Sequence, residues 1–371
     1  MPFLPLLFWV FFAIVVLQLC YLVTFLLSYA IKASTKSVND VQFGVSVIIC
    51  AKNEADNLRE HIPYILNQDH DNFELILVND GSLDETLEVM EGFAEVNSSV
   101  KVVNAKHVES FWGNKKYALT LGIKAARKSY LVFTDADCKP KTPHWLKEIA
   151  GQFSHEKRIV LGYGAHAVLK KSMLNKLIRF ETLFTAIQYF SYAKLGVPYM
   201  GVGRNLAYHK DVFFDNAGFM KHMAIMSGDD DLFINQVANK TNVAIVDSAK
   251  SITVSKPKLK FTEWFKQKRR HVTTSQHYKW YHKLMLGVFY TSQLSFLVLA
   301  VVLLSVTYMW PYVLGLILIR FVISSWVVMK VSKKLSEPGL LLLAPFLEMT
   351  LILVQFFIFS TNLISKPKHW N

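Results

Sequence analysis

The chain has 371 residues with 41 basic and 28 acidic side chains, a formal net charge of +13. Three cysteines are too few and too scattered for a disulfide framework or a zinc site, and 52% hydrophobic content with a mean hydropathy of +0.26 is high for a purely soluble enzyme. The positive charge does not mark nucleic acid, because much of it lies between Lys256 and Lys283, just before an apolar span, where basic residues meet anionic headgroups.

Phe3 to Ala30 is almost unbroken apolar sequence, interrupted by Gln18 and Ser28. No basic residue precedes it and no small-x-small cleavage site follows, so residues 1–31 read as an anchor helix and not a signal peptide. Residues 32–260 read as a soluble α/β domain. Strands are predicted at Val45–Cys50, Phe73–Asn79, Val100–Val103 and Tyr130–Thr134. They alternate with helices at Glu54–Asn67, Asp84–Asn97 and Lys115–Lys128. Strands apolar on both faces in a βαβα rhythm imply a doubly wound, mostly parallel sheet of Rossmann type. Further helices are predicted at Ser172–Tyr192 and Asp229–Asn239, and residues 261–283 suit an amphipathic helix in the membrane interface.

Residues 284–371 hold three more apolar spans, Leu284–Tyr308, Tyr312–Met329 and Gly339–Ile364. With four crossings, Lys32, Lys36, Lys279, Lys283, Lys330, Lys333 and Lys334 all fall on one side. The positive-inside bias makes that side cytoplasmic, so a multi-pass protein of the plasma (inner) membrane is expected. Lys366 and Lys368 then lie outside, a mismatch that a re-entrant last segment bent near Pro345 removes. Arg320 and Glu348, isolated charges in these spans, are predicted to pair.

The chemistry gathers at the strand ends. Tyr130-Leu-Val-Phe-Thr-Asp135-Ala-Asp137 is an apolar strand ending in two carboxylates, at the sheet edge where ligands bind. Hard oxygen donors there suit Mg²⁺ or Mn²⁺ carrying a diphosphate. The first strand ends in Ala51-Lys-Asn53-Glu54, and the second in Asn79-Asp80-Gly-Ser82. Asp80 offers an acceptor for a base N–H and Glu54 for ribose hydroxyls, Gly81 permits a tight turn, and Ser82 with Glu85 fits a helix capping box. Three carboxylates follow in Ser227-Gly-Asp229-Asp230-Asp231-Leu232, at a helix start whose dipole favours acidic residues. Gln267 and Arg270 share one helical face. Lone histidines such as His107, His166 and His222 have no ligand spacing to one another.

From Ser46 to His271 these motifs resemble the family 2 glycosyltransferases of the GT-A fold. The resemblance implies transfer of a sugar from a nucleotide diphosphate donor, a UDP-sugar by analogy, with metal dependence and inversion. Ala51, Asn53, Glu54 and Asp80 then belong to the nucleotide-binding loops. Asp135 approaches the ribose or diphosphate and shares the metal motif with Asp137, the metal ligand. Lys115, from Gly113-Asn-Lys-Lys116 before Ala118-Leu119, faces the diphosphate. Gly201-Val-Gly-Arg-Asn205 is similar to the family's acceptor-side segment. The acidic cluster implies a base: register from Leu232 selects Asp229, and the first acidic pair selects Asp230. Gln267-Lys-Arg-Arg270-His271 resembles the Gln-x-x-Arg-Trp motif with His271 for tryptophan, leaving Gln267 and Arg270 as donor contacts. The acceptor expected is lipid-linked or a glycan near the membrane, with membrane lipids as partners and no nucleic acid. The alternatives are a processive polysaccharide synthase, disfavoured by His271 and the few spans, and a non-catalytic membrane scaffold.

Overall fold

The computed structural model describes residues 3–30, 43–105, 115–225 and 227–365. Lys32, Lys36, His107, Gly113, Asn114, Lys366 and Lys368, used in the sequence reading, lie outside the described residues. Helix α1 (Leu4–Ala30) leads into β1 (Val45–Ala51), α2 (Ala55–Leu66), β2 (Phe73–Asn79), α3 (Thr86–Val96), β3 (Val100–Asn104), α4 (Lys115–Ala125) and β4 (Tyr130–Phe133). Then come β5 (Cys138–Pro140), α5 (Trp145–Ala150), β6 (Ile159–Leu161), β7 (Gly164–His166), α6 (Met173–Lys194), β8 (Leu206–His209) and α7 (Lys210–Phe214). The domain closes with α8 (Asp231–Val237), β9 (Val243–Ile245), β10 (Thr253–Ser255) and α9 (Phe261–Thr274), before α10 (Trp280–Ser305), α11 (Trp310–Lys334) and α12 (Ala344–Ile364).

The main sheet has seven strands in the order β3-β2-β1-β4-β8-β6-β9. β1 to β4 are mutually parallel, and β8 alone runs against its neighbours β4 and β6. This is the mostly parallel α/β architecture of the GT-A type. Both faces are covered, as the apolar strands demand: Ile48, Ile76 and Leu131 enter one core with α4 and α6, and Val47, Leu75 and Val132 the other with α2 and α5. Each such aliphatic chain gains about 1.5–3 kcal/mol from full burial. Gly122 lets α4 lie close on the sheet, since a Cβ there would meet Val78 Cγ2 at 2.8 Å. The register pairs Ala51 with Asn79 and Ile48 with Phe133, so β1, β2 and β4 end at one edge. A second, three-stranded sheet has the order β5-β10-β7.

Three expectations are corrected. The capping box at Ser82 does not form, because α3 begins at Thr86, and Asp84 Oδ1 accepts the Thr86 N–H at 3.0 Å. Ser82 Oγ instead accepts the Asn53 N–H at 3.0 Å, tying two loops together. The acidic-led helix is shorter than expected, with Asp230 as its N-cap. The interfacial helix ends at Thr274 and does not run on to Lys283; a 3-10 turn at Ser275–His277 separates it from α10.

Helices α1, α10, α11 and α12 are long and apolar enough to cross a membrane. Arg320 and Glu348 pair as predicted, with Nη1 donating to Oε2 at 2.8 Å. Gln18, Gln293 and Ser324 complete the network around the buried pair. Such a pair is stable only when its remaining polar atoms are satisfied, and here three helices supply the partners. Arg179 of α6 fastens the bundle to the domain, its Nε donating to Glu337 Oε2 at 2.8 Å, while the Tyr163 hydroxyl donates to Glu337 Oε1 at 2.8 Å.

Candidate active site

A cavity of about 920 Å³ begins at the carboxyl edge of the sheet and continues between α6, α9, α10 and α12. Of the residues singled out in the sequence, Ala51, Glu54, Asp80, Lys115, Asp135, Asp137, Asp229, Asp230, Gln267 and Arg270 line it. Asn53 does not line it: its backbone is left-handed (φ 54°), and its Oδ1 accepts the Leu83 N–H at 2.8 Å to brace the neighbouring loop.

The two nucleotide-type loops are built as one unit. The Asp80 N–H donates to the Ala51 carbonyl at 2.9 Å, and Gly81 takes a φ of +63°, which only a residue without Cβ adopts freely. Glu54 accepts from Asn57 Nδ2, and burial followed by Asp137 raises its carboxyl above the ordinary range.

Around Asp135 the charges interlock. Lys115 Nζ donates to Asp135 Oδ1 at 2.6 Å and stands 3.5 Å from Asp229 Oδ2, joining the strand-end carboxylates to the acidic cluster. Burial works against both charges, but the pairing wins: Lys115 is raised well above its ordinary value and Asp135 is lowered. Asp137 has no lysine at this distance, and burial together with Asp135 raises its carboxyl. The adjacent lysine is not solvated either: Lys116 Nζ donates to the carbonyls of His222, Ile225 and Ser227 at 2.6 to 2.7 Å, fixing the chain that leads into Asp229.

The three consecutive aspartates have different surroundings. Asp230 lines the cavity and accepts the N–H groups of Gly203 and Asp231, each at 2.7 Å. Burial, then Asp229 and Asp231, push its carboxyl up to about 7. Asp231 points the other way and accepts from Thr274 and, at 2.7 Å, from the Tyr278 hydroxyl, so it anchors the chain after α9. Asp229 keeps an oxygen toward the cavity beside Lys115, and its charge acts on Arg270, whose pKa burial lowers. His271 is surrounded by protein yet open to the cavity. Burial, then Lys268 and Arg270, hold its imidazole well below the ordinary value, hence neutral.

Two contributors escaped the sequence reading. Arg204 lines the cavity, bonds Ser255 Oγ at 2.7 Å and the Ala165 carbonyl at 3.1 Å, and its charge reaches Asp135 and Asp137. It lay inside Gly201-Val-Gly-Arg-Asn205, where the glycines drew the eye. His61, buried on α2, bonds the Ala136 carbonyl through Nδ1 at 2.9 Å and so orients the strand-end loop. Nothing in its spacing signalled that role. Asn205 is a structural pin, its Nδ2 donating to the Tyr163 and Ser251 carbonyls.

A divalent cation fits the strand end. Asp135, Asp137 and the Cys138 thiol hold ligand atoms within 4.8 Å of one another, and the carboxyl of Asp137 is raised by burial and by Asp135, as expected where like charges lie close together. The thiol is buried and held protonated by burial and Asp137, so the oxygens are the natural donors, favouring a hard ion.

A mostly parallel sheet with a strand-end acidic pair, a bridging lysine and a second acidic cluster defines a GT-A-like domain with a charged cavity at its carboxyl edge. Residues 46–213 match the model of glycosyl transferase family 2, and the catalytic domain belongs to that family. An uncharacterized glycosyltransferase of Haemophilus influenzae is 34% identical over 105 residues, 28% of this chain and 31% of the relative. A cholesterol galactosyltransferase of Borreliella burgdorferi is 33% identical over 96 residues, 26% of this chain and 25% of that one. The matches thus span a third or less of these relatives. A mannosyltransferase of Pyrobaculum calidifontis, solved with GDP-Man and Mn²⁺, shares the fold over 99% of both chains, with a TM-score of 0.62 and 14% identity.

Proposed function

We propose that this chain is an inverting, metal-dependent glycosyltransferase that moves a sugar from a nucleotide diphosphate donor to an acceptor held at the membrane. The observation that carries this reading is the single cavity that starts among Asp80, Asp135, Asp137 and Asp229 and runs on between helices long enough to span a bilayer.

In this reading Asp80 and Glu54 receive the nucleoside, with Ala51 as the floor. Asp137 and Asp135 hold Mg²⁺ or Mn²⁺, which when bound neutralises the diphosphate of the leaving group. Lys115, Gln267 and Arg270 grip diphosphate oxygens; a guanidinium suits them because it donates in a bidentate fork. Asp229 is the base: it takes the proton of the acceptor hydroxyl while that oxygen attacks the anomeric carbon from the side opposite the leaving group. Asp230 suits the task less, since both its oxygens are occupied by backbone N–H groups. In this reading the catalytic domain lies on the cytoplasmic face of the plasma (inner) membrane, which the positive-inside bias of the residues flanking the spans supports.

The test is a donor panel with purified protein and Mn²⁺, covering UDP-sugars, the expected class, and GDP-mannose, which the structural relative binds. Transfer or hydrolysis from one donor, abolished by Asp137→Ala, is the expected result. Nucleotide binding without turnover on any donor would move the reading to a scaffold that kept the fold.

A further inference from the structure

Resting on that transferase reading, we propose that the acceptor is an uncharged amphiphile presenting an alcohol hydroxyl, and not a lipid phosphate. The membrane-side half of the cavity is lined by Thr182, Thr185, Gln188, Tyr290, Gln293 and Gln355. Tyr290 and Gln293 lie ten and thirteen residues past Trp280, ~15 and ~20 Å along α10. Polar side chains at such depth are costly unless something pairs with them. The Tyr290 hydroxyl has no hydrogen-bond partner among the described residues, while its ring packs on Phe359 of α12 at 4.9 Å. Gln293 is held in place by donating Nε2 to Glu348 Oε1 at 3.2 Å.

Neutral amides and hydroxyls beside aromatic rings suit a head group of hydroxyls, whereas a phosphate calls for arginines and lysines. The cations near this half are engaged: Lys268 pairs with Glu181 at 2.6 Å, and Lys283 turns back to the Gln276 carbonyl. A phosphate arriving there would also face Glu181, Asp229 and Asp230. The chemistry agrees. A phosphate oxygen already carries its negative charge and needs no proton acceptor, whereas an alcohol must lose a proton. In the balanced step the alcohol oxygen bonds to the anomeric carbon, the carbon–oxygen bond to the diphosphate breaks with its electron pair on the nucleotide, and the proton goes to Asp229.

The test is photolabelling of the full chain in phosphatidylcholine nanodiscs. One probe is a diazirine-bearing monoglycosyl diacylglycerol, the other a diazirine-bearing polyprenyl phosphate at equal concentration. The neutral probe should label peptides of α6, α10 and α12, be displaced by its unlabelled form, and lose about fivefold or more in Tyr290→Phe or Gln355→Leu, as expected for losing one hydrogen bond of roughly 1 kcal/mol. Tyr290→Phe removes no internal hydrogen bond, so it should fold. Stronger labelling by the phosphate probe, or neutral labelling untouched by both variants, overturns the proposal. Labelling needs no turnover, so a silent donor panel would count against the transferase reading and leave this result to stand or fall by itself.

A separate observation points to the path of α12: the geometry makes it a re-entrant helix and not a crossing. Lys334, the last residue of α11, bonds Asp247 of the catalytic domain at 2.8 Å, so α11 ends on the catalytic side. The segment before α12 is held there too, with Arg179 Nη2 donating to the Pro338 carbonyl at 2.8 Å. The far end of α12 returns to the same domain: Asn362 and Arg269 of α9 exchange two hydrogen bonds of 2.8 and 3.0 Å. A helix that crossed would carry its two ends ~30 Å apart on opposite faces. Three crossings remain, and α12 ends on the catalytic side.

In a background with Cys20→Ser, Cys50→Ala and Cys138→Ala, single cysteines at Asp56, Tyr312 and Ser365 are labelled with an impermeant maleimide in sealed vesicles of either orientation. Ser365→Cys should react together with Asp56→Cys and opposite to Tyr312→Cys. Reaction together with Tyr312→Cys overturns the assignment.

Discussion

Two clusters in this molecule set a buried cation among carboxyl groups, and they are built for different ends. In the membrane bundle Arg320 meets one carboxylate, Glu348, and Gln18, Gln293 and Ser324 take up remaining hydrogen-bonding capacity; Arg320 and Glu348 are each 2% exposed at the side chain or less. At the sheet edge Lys115 meets Asp135 and Asp229, with Asp137, Glu54 and Asp80 also lining the same cavity. The first cluster is balanced and sealed, as a structural ion pair must be. The second sets five carboxyl groups against Lys115 and Arg204 and opens onto a cavity, so a cation can complete it. Unbalanced charge beside open volume, more than burial of charge as such, marks the functional cluster.

The largest effects should separate the two clusters by what they damage. Asp137→Ala and Asp229→Asn should each lower kcat about 10²–10⁴-fold while leaving the thermal unfolding midpoint nearly unchanged. Steady-state kinetics beside a melting curve in detergent checks both halves of that statement. Glu348→Ala should do the reverse, costing about 3–5 kcal/mol because Arg320 is left buried and unpaired, whereas Arg320→Met with Glu348→Leu restores most of it. Equal loss in the single and double variants would break the comparison.

Next comes a pH effect. Asp230 titrates near 7 in the folded chain and near 4 when unfolded, so the folded state holds a proton the unfolded chain has released. The stability from this group is full below pH about 4 and declines as pH rises to about 7, by up to about 1.4 kcal/mol per unit. Asp230→Asn should flatten the slope of unfolding free energy across that window; an unchanged slope would place the proton elsewhere. The smallest effect concerns the loops. Asp84→Ala should cost about 1 kcal/mol by removing the acceptor at the start of α3, and Ser82→Ala less, because Ser82 braces Asn53 and does not cap the helix.

The parallel half of the domain was legible because each element satisfied its own rule locally. β2 was read at Phe73–Asn79 and formed there, since a buried parallel strand is written as a continuous apolar run. The second half was less legible. β6, β7, β9 and β10 are three residues each, too short to show a period, and pairing with distant strands alone defines them. Among the site residues, Asp135 and Asp137 announced themselves by ending a strand. Arg204 and His61 did not, because their roles depend on what the fold sets beside them.

The order of strands and helices through β4, the apolar spans and the placing of acidic groups at loop starts were determined by the sequence alone, because hydrophobic period and turn chemistry act over a few residues. Tertiary structure decided which lysine reaches Asp135, which of three aspartates pairs with that lysine, and where α12 turns back. Those outcomes depend on distances between residues 20 to 158 positions apart, which are fixed only when the sheet and the helix bundle pack together.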